Sequence, residues 1–187
     1  MTFTEHRYGV LAFLTQRDTP STPHIFGDLY SHLTGVESLV RAWGGSDRLA
    51  LVALAHATYG TDGFAPNILE LEERPLLASI IGPEAEALVY FYASCDRRYF
   101  YPQIEAPDTV ADHLAFRDRF TDTTFTPSPA YVTDFVDLTL ANECELAAAS
   151  PGGPLEWTWL SDFCRTTQRW ASPGFSSGAG TLLGLAG

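Results

Sequence analysis

The chain has 187 residues, 45% of them hydrophobic, which is enough for one domain to bury a sizeable core. Its 23 acidic and 11 basic residues leave a net charge of −12, which repels phosphate backbones and anionic lipid surfaces; neither nucleic acid nor a membrane is an expected partner. Every basic residue is Arg, so Schiff-base chemistry is excluded, and three scattered cysteines (Cys95, Cys144, Cys164) read as reduced thiols of a cytoplasmic protein.

The segment from Met1 to Arg7 has no basic run followed by an apolar stretch, so no secretory signal is expected. No segment reaches the ~20 apolar residues of a membrane span. A first helix is expected from about Glu5 to Arg17, ended by Pro20 and Pro23. The next runs from about Phe26 to Trp43, with Phe26, Leu29, Leu33, Val36, Val40 and Trp43 forming one apolar stripe at helical spacing. Gly44-Gly45 stops it, and Ser46-Asp47 caps a third helix, Asp47 to Tyr59, which is apolar nearly all round and therefore buried.

Gly60-Thr61-Asp62-Gly63 forces a turn. Pro75 and Pro83 open helices to Ile81 and Arg97, Asp108 caps one to Phe120, and a longer helix covers Pro129 to Ala149. Pro154 to Trp170 completes the set, with Ser172 to Gly180 as a tail or loop. No period-two strand stands out, so the expectation is a single all-α domain of about seven or eight helices.

Histidine placement gives the candidate site. His32 falls three residues after Leu29 and four before Val36, inside the apolar stripe, and His56 falls four after Val52 at the end of the all-apolar helix. Each buried imidazole needs a hydrogen-bond partner or a metal to avoid a cost of about 1–3 kcal/mol. Asn142 puts an amide in the apolar stripe of the long helix. His32, His56, Tyr59, Asp96, Arg97 and Asn142 are the candidate catalytic residues, and Thr61, Asp62 and Phe64 are candidate substrate contacts. A buried His paired to Tyr59 or Asp96 would act as general base, with Arg97, Thr61 or Asn142 stabilising an oxyanion or enolate. His24, His32 and His56 are the candidate ligands of one divalent metal ion, His24 lying two helical turns before His32 if the helix starts that early; the alternative is no metal at all.

Plainer readings stand beside these. Either imidazole can donate to a backbone carbonyl in a packed core. Asp96-Arg97-Arg98 reads as a solvated helix end, Glu143 and Glu145 as solvent-facing or paired with Arg, and His6 and His113 as surface residues. Cys144 has no His near it in sequence to activate it.

The His in Ser31-His32-Leu33, followed two dozen residues later by a His ending an apolar helix, resembles the HD-domain metal phosphohydrolases. That resemblance implies a His, then a His-Asp pair, then a distant Asp; here the pair is His56-Ala57 and the distant position is Asn142, so both carboxylates are missing. The segment from Leu54 to Thr61, with Phe64, Ile81 to Glu86 and Asp96-Arg97, more closely resembles an uncharacterised family of HD-like proteins in which His-x-x-Tyr-Gly-Thr replaces His-Asp. It implies an HD-like helical scaffold over roughly Pro23 to Ala149 and carries no reaction with it.

Three function classes follow. The first is a small-molecule enzyme using acid-base chemistry (lyase, isomerase, cyclase or hydrolase type), placed in bacterial specialised metabolism. The second is a metal-dependent hydrolase or oxygenase with substitute ligands, and the third a non-catalytic small-molecule-binding or partner protein. Trp157, Trp159, Phe163 and Trp170 are the candidate apolar surface of a homodimer.

Overall fold

A computed structural model describes residues 2–64 and 66–185. They form nine α-helices and two two-stranded hairpins, an all-α architecture. The chain divides into two units, Met1–Ala93 and Ser94–Gly187. No helix among the described residues is long and apolar enough to cross a membrane.

The first unit opens with α1 (Phe3–Gln16), whose start is fixed by a reciprocal cap between Thr2 and Glu5. A short hairpin follows, β1 (Pro23–His24) against β2 (Gly27–Asp28), with His24 opposite Gly27. The helix expected from Phe26 therefore starts later, as α2 (Leu29–Ala42), because the Asp28 side chain accepts from the Ser31 N–H at 2.8 Å and caps it there. Its buried face is Leu29, His32, Leu33, Val36, Glu37 and Val40, the expected stripe with Glu37 added and without Phe26 and Trp43. Gly44, with φ 81°, turns the chain, and Ser46 caps α3 (Asp47–Ala55) by accepting from the Leu49 N–H.

All seven residues from Leu49 to Ala55 are buried, and α3 packs on both α1 and α2. Burying each of its Leu or Val side chains contributes about 1.5–3 kcal/mol. The helix stops at Ala55, short of the expected Tyr59: the next residues form turns, and Gly60 takes φ 67° before a tight Thr61–Phe64 loop. The unit ends with α4 (Arg74–Ile81), which packs on α1, and α5 (Pro83–Ser94), whose last residue opens the second unit.

In the second unit Asp96 caps α6 (Arg97–Glu105) by accepting from the Tyr99 N–H. The helix expected from Asp108 to Phe120 does not form. That stretch holds one 3-10 turn and strand β3 (Phe116–Asp118), paired with β4 (Thr123–Phe125). Asp118 accepts from the N–H groups of Phe120 and Thr121, offering the backbone a turn in place of a helix, and Asp122 completes it at φ 57°. The backbone around Cys95 pairs with this hairpin, which ends α5 before Arg97.

The long α7 (Pro129–Ala149) forms as expected and is buried on every side from Phe135 to Cys144. Against it pack α8 (Thr158–Thr167) and α9 (Pro173–Leu182). The expected tail is thus mostly helix: Phe175 and Ala179, four apart, are buried, and Pro173 sits in its favoured first helical position. Of the proposed dimer aromatics, Phe163 is core, Trp170 donates to the Ile104 carbonyl at 2.8 Å and Trp159 is exposed.

Candidate functional site

The first unit brings three imidazoles into one row. His32, on the buried face of α2, is 5% exposed, and His56, which follows the last residue of α3, is 3% exposed. Their rings meet nearly perpendicular, with centroids 5.3 Å apart. The β1–β2 hairpin folds His24 back so that its ring stacks on His32 at 4.1 Å. His24 is half-buried, so the row runs from the protein surface inward, and His56 continues it to the buried ring of Tyr92 on α5 at 5.7 Å. An early-starting helix would carry His24 two turns before His32; the hairpin brings it there by a different route.

His56 is oriented by its own helix end. Its Nδ1–H donates to the Ala53 carbonyl at 2.8 Å, one of the backbone oxygens that α3 leaves without a helical partner. That bond fixes the tautomer and makes Nε2 the proton-accepting atom of the ring. Phe64 from the Thr61–Phe64 loop packs edge-on to His24 at 4.9 Å, so this candidate substrate contact flanks the outer end of the row. Thr61 is buried and holds the loop through reciprocal backbone bonds with Phe64, whereas Asp62 lies exposed at its tip. In the turn after His56, the Thr58 hydroxyl is fully buried and has no hydrogen-bond partner among the described residues.

The metal reading of His24, His32 and His56 does not fit these placements. An imidazole binds a metal in its ring plane at about 2.0–2.1 Å. The His24 and His32 rings lie 4.1 Å apart, inclined by 22°. Among the described residues no three His, Cys, Asp or Glu side chains group as a metal site.

Tyr59, expected to pair with a buried imidazole, pairs with a carboxylate. Its hydroxyl donates to Glu86 at 2.9 Å, and Glu86 also accepts two bonds from Arg74, at 2.7 and 3.0 Å. Burial, with the carboxylate alongside, pushes the Tyr59 phenol well above its usual range and keeps it protonated. Sequence reasoning gave Glu86 no role, since an acid in the first turn of a helix ordinarily faces solvent. It equally missed Glu37, 1% exposed, which receives both ends of the Arg7 fork at 2.6 and 2.7 Å. His6, expected at the surface, is half-buried with Nδ1 against the Ile80 carbonyl, while His113 is exposed.

Asp96, Arg97 and Asn142 belong to the second unit. Asn142 donates to Glu143 at 3.0 Å, and Glu143 lies 3.7 Å from Arg97, so Glu143 is a buried, Arg-paired acid. Asp96 caps α6 and stands 3.7 Å from Arg117. All three cysteines are buried free thiols; burial pushes Cys144 up to about 12, which removes it as a nucleophile near neutral pH.

No curated protein and no solved structure matches the chain. Residues 13–97 match the model of a domain of unknown function, DUF6817, and this stretch carries the imidazole row, Tyr59, Arg74 and Glu86. Over that segment, less than half of its length, the chain is similar to the DUF6817 domain.

Proposed function

We propose that the chain is a small-molecule enzyme working by acid-base chemistry on an HD-like helical scaffold, with His56 as the proton-accepting group. The observation that carries this reading is the anchored imidazole of His56 in ring contact with His32 and, through it, with His24 at the surface. A core histidine needs only one partner. Three imidazoles in ring contact are a costly way to fill apolar space, because each ring brings polar nitrogens that need partners. The buried Thr58 hydroxyl, two residues after His56 and without a hydrogen-bond partner among the described residues, supports a polar ligand in this part of the unit.

In this reading the substrate enters past His24 and Phe64, His56 Nε2 takes or returns the proton, and His32 holds the His56 ring in place. Tyr59, Glu86 and Arg74 brace the turn that carries His56. General acid-base catalysis of this kind supplies about 10²–10⁴-fold in rate.

The test is untargeted metabolite profiling of cell extract incubated with wild-type protein and with His56→Ala. Consumption of a compound by wild type alone supports the reading. A compound bound by both but consumed by neither points to a non-catalytic binding protein, and an extract unchanged by wild type overturns the proposal.

A further inference from the structure

Helices α8 and α9 in the second unit enclose a cavity of about 320 Å³, at the small end of ligand pockets. Its polar wall is Arg165, Gln168, Ser176 and Ser177, with the Cys164 thiol and Thr181 beside them, and no Asp or Glu of the described residues lines it. In a chain with 23 acidic and 11 basic residues, a cavity lined by one guanidinium and, among the described residues, by no Asp or Glu stands out electrostatically. Its side chains are also mostly hydrogen-bond donors. Burial pushes the Cys164 thiol up, so it stays protonated, and Thr181 spends its proton on the Ser177 carbonyl at 2.8 Å.

Two further observations point to a ligand. The Ser176 hydroxyl is shut off from water yet has no hydrogen-bond partner among the described residues. Among the described residues Arg165 pairs with Asp162, at 3.0 Å, with both side chains largely in water, so a ligand competes easily for the guanidinium. We propose that this cavity binds a small organic oxyanion, a carboxylate or a phosphate ester, with Arg165 neutralising its charge and Ser176 donating to one oxygen. The site lies wholly in the second unit and does not depend on the imidazole row.

The experiment is a thermal-shift and calorimetric titration of the full chain with inorganic phosphate and, separately, with butyrate, ionic strength being held constant with NaCl. Saturable binding of at least one probe is expected, and the stronger probe identifies the headgroup class. Ser176→Ala and Arg165→Gln should each weaken it about tenfold, as loss of a hydrogen bond to a charged group does. Removing an unpartnered hydroxyl leaves the fold intact, so Ser176→Ala should keep the wild-type midpoint without anion. Absence of binding of both probes up to about 10 mM overturns the proposal, since Kd = 1 mM already corresponds to only about −4.1 kcal/mol. Wild-type affinity in both variants does the same.

Discussion

At Glu86 one carboxylate serves two donors, the Tyr59 hydroxyl and the Arg74 fork, and Arg74 also lies over the Tyr90 ring at 3.8 Å. Glu86→Ala leaves a buried hydroxyl without its acceptor and frees the guanidinium, and it should destabilise by about 2–4 kcal/mol in urea unfolding. Tyr59→Phe removes only one donor and should cost about 1 kcal/mol. Asp137 on α7 makes a pH prediction. It is buried and accepts from the Ser172 N–H at 2.8 Å, and burial raises its carboxyl from 3.8 to about 6. The folded state therefore binds this proton more tightly than the unfolded chain. Its contribution is present in full below about pH 3.8 and is lost as the pH rises through 6. Asp137→Asn should flatten stability across that window and gain on the order of 2 kcal/mol at pH 7, read by urea unfolding at several pH values. Residue burial was legible where an apolar period surrounded the residue, as for His32 and His56. It was not for Glu37 and Glu86, because an acid is buried only when a distant Arg meets it, and sequence spacing does not reveal that meeting.

Among the elements, α2, α3 and α7 were readable because each carries its apolar period between a stop and a cap. The failures lie where local side-chain bonding competes with the helix. Asp28 caps α2 and releases Pro23–His24 into a hairpin, and Asp118 turns the chain where a helix was expected. The Gly and Ser content of α9 lowers its helix propensity, and packing of Phe175 and Ala179 overrides that. Asp28 is therefore a test of element boundary and site together. Asp28→Ala should lower stability by about 1 kcal/mol. Because β2 ends at this cap and holds β1, it should also broaden the NMR signals of the His24 ring. Sharp, unshifted His24 signals would count against the hairpin as its support.

Over the whole molecule, 12 excess negative charges act against a folded chain whose firmest ion pairs, Arg7–Glu37 and Arg74–Glu86, keep their carboxylates buried. Salt screens exposed repulsion more than buried pairs: between about 0.1 and 1 M NaCl the Debye length falls from about 10 to 3 Å. The melting midpoint should rise over that range in a fluorimetric melt; a falling midpoint would mean that exposed pairs dominate. Helical class and the pairing of His32 with His56 were legible in the sequence. The division into two units was not, because the chain lacks a linker rich in Pro, Gly or charge near Ala93.

The most direct test of the central claim is chemical rescue of His56→Ala, assayed on the compound that wild type consumes. Turnover should fall about 10²–10⁴-fold and recover in part when free imidazole is added, with circular dichroism unchanged. Turnover at the wild-type rate without imidazole would contradict that claim.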